Sequence, residues 1–565
     1  MSDNNKISST LRLLARNADK GDLRAIYQLF LNFLHGNYSE PNKKSSERYL
    51  TQLIEKIDGK TLILDEMVLN DFRGINNLKI QFDTRLTVLV GNNGYGKSTV
   101  LDALAMTLSW LKSNILREDR PGLSIKESDI NNNKIVQYAS ITSKFSLNKT
   151  PFTIMLSKAK EGSPEKRNNE LIEIKSLASI YRHVSELSSS INLPLLAYYS
   201  VSRSTEGGGI DSKKINQTNK NEWSKFDAYE DVFTDRHDFG EFFKWFIFIN
   251  NIAQQNSKSE IKNKINKLVA EINGAELVLK QIQSVQDIQL EYLKPIQEEI
   301  NFKTLQIKNL NIEYYKNDDK TASKLIESII LSFEKFLPEL KNIRIQYDKN
   351  SVKLLVEKNG LQIDAQQLSQ GEKSLLTLVG DLTRRLVILN SSRENPLEGY
   401  GIVLIDEIDL HLHPLWQQTI VGNLLSTFPN IQLIISTHSP QVLSTVAAKS
   451  IKILSAKYNK ITDQDEMSIH PPEFQTKGVK STDVLSEVMN TDPLPPIIEA
   501  DWIEEYIELI ETGNSDSNKA ILLKDKIVSH YGTEHPLVKK CENIILLQEM
   551  KIELAKRRLS NKGDV

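Results

Sequence analysis

GNNGYGKST, residues 91–99, sits between RLTVLV, whose apolar residues read as a buried strand, and VLDALAMTLSWLK, an amphipathic helix. Strand, then G-x-x-x-x-G-K-[ST], then helix is the arrangement of a phosphate-binding loop. Its glycines let the backbone wrap close to phosphate oxygens, and the helix N-terminus presents unpaired N–H groups to negative charge. Gly91, Asn92, Asn93, Gly94, Tyr95, Gly96, Lys97, Ser98 and Thr99 are therefore the candidate ATP contacts. Lys97 is expected to reach the β and γ phosphates and the Ser98 hydroxyl to ligate Mg²⁺.

Two further pieces lie downstream. IVLIDE, residues 402–407, is an apolar strand ending in two acids, the usual place for ligand groups in an open α/β sheet. Asp406 is expected to hold Mg²⁺ through water and Glu407 to polarise the attacking water. Acids at a strand end are a weak signal alone and a strong one beside a phosphate loop. STHSP, residues 436–440, follows the strand IQLIIS and places His438 within reach of a γ-phosphate.

The remaining chain frames these pieces. Residues 1–58 form a helical hairpin broken at Gly21, either one unit of a tetratricopeptide-like repeat or a plain two-helix extension. Strand patterns start at Thr61 (TLILDEMVLNDF, NLKIQF), return at 135–158, and include PLLAYYSV at 194–201. Residues 61–240 are read as the first lobe of an α/β head, and STEGGGIDSKK as a loop. Residues 250–315 differ. Ile261, Ile265, Leu268, Ile272, Ala275, Leu279 and Ile282 recur at alternating steps of four and three, a heptad seam, and Pro295 interrupts a second run. A two-helix coiled-coil arm or a pair of ordinary amphipathic helices accounts for this. The second lobe spans 320–455, with PLWQQTIVGNLLSTF read as one helix. Residues 470–565 are read as a polar helical segment.

Composition limits the function. The 565 residues allow roughly two to four domains. A net charge of -2 confines any nucleic-acid contact to local patches. The basic KRR at 556–558 reads as a solvated tail. One cysteine, Cys541, excludes an internal disulfide and suits a reducing cytoplasm. No run approaches the roughly 18 apolar residues of a membrane helix, and the N-terminus has no signal-peptide pattern, so a cytoplasmic protein is expected.

LSQGEKS, residues 368–374, stands before another long apolar helix in an order that helix capping does not require. With the phosphate loop, LIDE with Asp409 after it, and STHSP, it resembles the motif set of the ABC ATPases over residues 61–455. The resemblance implies an ABC-type P-loop head with a mixed sheet. It implies that Ser369, Gln370, Gly371 and Glu372 of one subunit cap the ATP held by another, with Asp409 nearby. It also implies a glutamine loop; Gln137 is the candidate. Ser369 and Gly371 are the expected donors to the γ-phosphate.

IDEIDLHLHPLWQQ followed by STHSPQVL is similar to the ATPases of bacterial anti-phage defence, the overcoming-lysogenization-defect family and the Septu PtuA family with its retron-associated members. His411 and His413 are assigned to the family's loop rather than to a metal. A Toprim nuclease, which follows the ATPase in the first family, has no counterpart in 456–565, so no nuclease of its own is expected. The PtuA resemblance implies a head-to-head ATP-dependent dimer, open to further assembly. It implies as partners an HNH nuclease (PtuB) and, in retrons, a reverse transcriptase with its RNA–DNA product. The competing reading is an SMC-like DNA-repair ATPase acting directly on DNA. An arm of at most about 34 residues each way, roughly 50 Å, with no cysteine near its tip, disfavours it. A scaffold with a structural ATP site is disfavoured by intact Lys97, Asp406 and Glu407.

Overall fold

The structure, a computed structural model, describes residues 9–132, 136–164, 166–187, 191–201, 224–234, 239–283, 294–314, 320–347, 352–390, 393–459 and 464–560. The expected loop STEGGGIDSKK lies outside them. Contacts divide the chain into two compact units, Met1–Ser481 and Thr482–Val565.

The first unit opens with α1 (Ser9–Asp19), α2 (Leu23–His35) and α3 (Lys43–Ile57). Asp22 caps α2 by accepting from the Arg24 and Ala25 N–H groups, and Gly36, at φ +80°, ends it. Leu23, Ile26, Leu29, Leu53 and Ile57 are fully buried, so this amphipathic layer does not stand alone.

Next come β1 (Leu62–Phe72), β2 (Ile75–Gln81), β3 (Leu86–Val90), α4 (Lys97–Leu116), β4 (Tyr138–Leu147), β5 (Thr150–Ala159), α5 (Ile172–Leu187) and β6 (Leu195–Tyr199). Strands β1, β2, β4 and β5 make an antiparallel sheet in the order β2-β1-β4-β5. The Leu23 N–H donates to Thr150 Oγ1 at its edge, which docks the N-terminal helices. Helix α4 is buried nearly all round and touches strands of both this sheet and the next, as an all-round apolar helix must.

The arm follows as α6 (Phe239–Gln283) and α7 (Lys294–Tyr314). Helix α6 begins about ten residues before the expected start of the arm. Phe242, Phe243, Trp245 and Phe246 at its base are buried in the head, so the first described turns of this helix belong to the head core rather than to the heptad seam. Beyond the base, the described seam residues Ile265, Leu268, Ile272, Ala275 and Leu279 are less exposed than their neighbours and α7 packs on them. Pro295 is the second described residue of α7, and the residues before Lys294, on which the expected interruption depends, lie outside the described residues.

The chain returns through α8 (Lys320–Phe336) to a small antiparallel sheet of β7 (Leu340–Tyr347), β8 (Val352–Lys358) and β9 (Leu361–Asp364), then α9 (Gln370–Leu389). The arm base reaches α9 directly, because a Cβ on Gly380 would lie 3.0 Å from the Phe242 ring. Then come β10 (Gly401–Ile405), α10 (Pro414–Gln417), α11 (Ile420–Thr427), β11 (Ile431–Ser436), β12 (Ile451–Asn459) and β13 (Gln464–His470). Residues 414–428 form two helices, not one. Gln417 is pinned to the preceding loop by donating to the Leu412 carbonyl (2.9 Å), and β-branched Thr419, Ile420 and Val421 follow the break.

The six-stranded sheet runs β13-β12-β3-β11-β10-β6, parallel except for β13. Every residue of β3, β6, β10 and β11 is buried, as parallel strands covered on both faces require. The Gln432 amide on β11 joins the two large sheets. It accepts from Leu64 N–H (2.8 Å) and donates to the Leu64 (2.8 Å) and Asp83 (2.9 Å) carbonyls.

The second unit begins at Thr482 rather than near 470, because Thr476 Oγ1 donates to the Val446 carbonyl (2.6 Å) and ties the residues after β13 to the head. It packs α12 (Ile498–Glu511), α13 (Asn518–Tyr531) and α14 (Pro536–Ser560) around Ile503, Tyr506, Ile510, Leu523, Ile527 and Cys541. The acidic face of α12 is solvated, but its other face is core. Among the described residues no helix is long and apolar enough to cross a membrane.

Candidate functional site

The strand order explains how distant segments meet. Strand β11 lies between β3 and β10, so the loops after β3, β10 and β11 leave the same carboxyl edge of the parallel sheet side by side. These are the phosphate loop, the Asp406–Glu407 turn and the His438 loop.

The phosphate loop is shaped by glycines where side chains do not fit. Gly94 and Gly96 have φ +85° and +84°, and a Cβ on Gly91 would lie 2.6 Å from the Leu454 carbonyl oxygen of β12. Asn92, Asn93, Gly94 and Ser98 are exposed, with Tyr95, Gly96 and Thr99 half-buried. Lys97 is buried and curls over the loop, its ammonium donating to the Gly91 (2.8 Å) and Asn92 (3.2 Å) carbonyls. Burial pushes its pKa below the usual lysine range, against the pull of Asp406, Glu407 and Asp409. All three acids thus act electrostatically on one ammonium.

The acidic turn is stitched to β11 by one hydroxyl. Ser436 Oγ donates to Asp406 Oδ1 (2.5 Å) and accepts the Glu407 N–H (2.8 Å). Asp406 N–H also donates to the Tyr199 carbonyl of β6 (2.8 Å), and Ile408 N–H to the Ser436 carbonyl (3.0 Å). Glu407 takes a left-handed φ of +46°, a conformation that costs about 1–3 kcal/mol and persists only where neighbours enforce it. Asp409 accepts from Thr437 Oγ1 (2.5 Å) and from the His438 N–H (3.4 Å), which fixes the His438 loop against the acidic turn.

The LSQGEKS stretch forms a capping box at the start of α9. Glu372 Oε2 accepts the Ser369 N–H (2.9 Å) and Oγ–H (2.7 Å), and Glu372 N–H donates back to Ser369 Oγ (3.4 Å). Helix capping therefore does account for the serine and the glutamate, contrary to the expectation from sequence. Ser369 and Gln370 are exposed, whereas Gly371 is buried against the loop after Asp409, where a Cβ would lie 2.5 Å from the His411 carbonyl oxygen.

Two candidates stand apart. Gln137 is exposed at the start of β4, where its carbonyl accepts from Lys160 N–H (2.8 Å) at the far end of β5. Among the described residues no three His, Cys, Asp or Glu side chains converge as a metal cluster, and His413 caps α10 by accepting from Leu415 N–H (3.3 Å). The side chains of 556–558 lie outside the described residues. Sequence reasoning missed Ser436, Thr437 and Gln417. STHSP drew attention to its histidine, and nothing in the sequence distinguishes the serine that bridges two strands.

The sequence matches the family described as "AAA domain, putative AbiEii toxin, Type IV TA system" over residues 86–444. It is similar to the Retron Vc95 probable ATPase of Vibrio cholerae, 32% identical over 545 residues, covering 94% of this chain and 99% of that protein. The Retron Ec83 probable ATPase of Escherichia coli is 30% identical over 570 residues, 98% of this chain and 97% of that one. A stretch of 89 residues, 16% of this chain and 12% of the other, is 37% identical to the Septu protein PtuA of Bacillus mycoides.

Proposed function

Because the chain belongs to the family described as "AAA domain, putative AbiEii toxin, Type IV TA system" and is similar over nearly its whole length to two retron probable ATPases, we propose that it binds and hydrolyses ATP between two copies of itself and thereby restrains or releases a partner nuclease. The observation that carries this reading is the meeting of three loops at one sheet edge, with Lys97 in the field of Asp406, Glu407 and Asp409. Lys97 neutralises the β and γ phosphates, and the N–H groups from Gly94 to Ser98 cradle them. The exposed Ser98 hydroxyl and the Asp406 carboxylate are hard oxygen donors that suit Mg²⁺, which supplies charge neutralisation at the transferred phosphate. Glu407 accepts the proton of the attacking water, and His438 supports the γ-phosphate from β11.

Ser369 and Gln370 face outward on α9, beside the loop after Asp409. There they suit the ATP of a second copy. In this reading the nuclease is an HNH protein of the PtuB kind, with a reverse transcriptase and its RNA–DNA product in the same complex, and the chain itself does not cut nucleic acid. Ser369→Arg in a Glu407→Gln background tests the pairing by sedimentation with ATP and Mg²⁺. The expected result is nucleotide binding without dimer; a dimer that persists refutes the capping in trans. Affinity purification from the native gene neighbourhood tests the partners, and recovery of the ATPase with bulk duplex DNA alone refutes them.

A further inference from the structure

Glu372 is an unusual capping glutamate. A capping box needs only an acid three residues after the cap, and such an acid is normally solvated. Here Glu372 is 1% exposed. Burial alone raises its pKa, yet the Lys358 ammonium on Oε1 (2.7 Å) and the two Ser369 donors on Oε2 outweigh burial and hold it below the usual carboxylate range. The helix N-terminus adds favourable potential for the same charge.

Lys358 is placed by local backbone chemistry. It ends β8 and pairs with Leu361 across Asn359–Gly360, both in the left-handed region at φ +53° and +77°, the signature of a tight type I′ hairpin. That hairpin belongs to the small sheet entered from α8, and α8 packs on the arm helix α6. A continuous path therefore runs from the arm base through α8 and β7–β8 to Lys358, then Glu372, then Ser369.

We propose that Lys358 is a positioning residue for the capping of ATP. Its ammonium fixes the Glu372 carboxylate on Oε1 (2.7 Å), and Oε2 of that carboxylate, by accepting the Ser369 N–H and Oγ–H, holds Ser369 and the exposed first turn of α9 in the place where they face the second copy. The inference rests on the proposed role of Ser369. It makes the sheet next to the arm a control point for ATP turnover without any contact to the chain's own phosphate loop.

The test uses the full chain with Lys358→Met, which keeps the stem and removes the charge. ATP affinity is expected to stay within about 2-fold, because the phosphate loop is untouched, while kcat at saturating ATP falls by about 10-fold or more. Lys358→Arg is expected to restore kcat to within about 3-fold, since the guanidinium can also donate to Oε1. A merely structural pair would instead change stability while leaving kcat in place. Unchanged kcat in Lys358→Met, or no rescue by arginine, overturns the inference. Should Lys358→Met not fold, Lys358→Gln carries the same test: the same split between affinity and kcat supports the inference, and unaltered kcat overturns it. Ser369→Arg run in parallel separates the failures. If it leaves the dimer intact, the capping in trans fails; if it abolishes the dimer while Lys358→Met turns over normally, only the role of Lys358 fails.

Discussion

Ser436→Ala is the most informative single change in the site. The hydroxyl it removes donates to Asp406 Oδ1 at 2.5 Å and accepts from the Glu407 N–H at 2.8 Å, with Ser436 fully buried and Asp406 2% exposed. The substitution leaves one donor and one acceptor short of a partner. Each such loss costs about 1–3 kcal/mol, and more when the group is charged, so a destabilisation of about 2–5 kcal/mol is expected. Catalysis suffers through a separate route. The N–H bond to Ser436 helps enforce the left-handed conformation of Glu407. Once it is gone the carboxylate drifts, and a misplacement of about 1 Å lowers turnover by about 10²-fold. ATP affinity is expected to change far less, because Lys97 and the loop N–H groups are untouched. Urea unfolding of the first unit gives the stability change from the midpoint at unchanged slope, and single-turnover hydrolysis gives the rate. A loss below about 0.5 kcal/mol together with turnover within about 2-fold of the parent would refute the bridging role of this hydroxyl.

Lys97→Ala is expected to abolish ATP binding measured by calorimetry, since the main cation of the site is lost. Glu407→Gln should keep binding and slow hydrolysis by about 10²-fold or more, read as phosphate release. The fourth prediction concerns pH. Glu372 has its folded pKa held below the unfolded value, so its contribution to stability is present above that unfolded value and fades as pH falls through the folded one. The stability gap between the parent and Lys358→Met should therefore be full at neutral pH and shrink below about pH 4.5, near the ordinary glutamate value. A gap that is constant across acid titration would show that the lysine acts through packing alone.

The elements most easily read from sequence were those with local requirements. A strand, a glycine turn and a helix N-terminus are contiguous, so residues 86–116 could be placed without knowing the rest of the fold. The arm seam was legible because heptad spacing is a property of one helix, while the place of its base in the head core was not, since Phe242 and Trp245 are buried by α8 and α9 from other parts of the chain. The LSQGEKS stretch was read as uncalled for by capping, although S-x-x-E is a capping pattern. What is unusual is the burial of its glutamate and the lysine from β8 that accompanies it, and those depend on packing.

The phosphate loop, the acid pair at the end of an apolar strand and the helix opened by Ser369 were all present in the order of residues, because each depends on steric and hydrogen-bonding rules acting over a few neighbours. Tertiary structure decided that β11, later in the chain than β10, inserts between β10 and β3, and so brings Ser436 onto Asp406 and Thr437 onto Asp409. It also decided that half-buried Lys358 meets the buried carboxylate of Glu372. Strand order and the pairing of buried charges come from burying apolar faces shared by distant segments, and no local pattern encodes which distant segment supplies the partner.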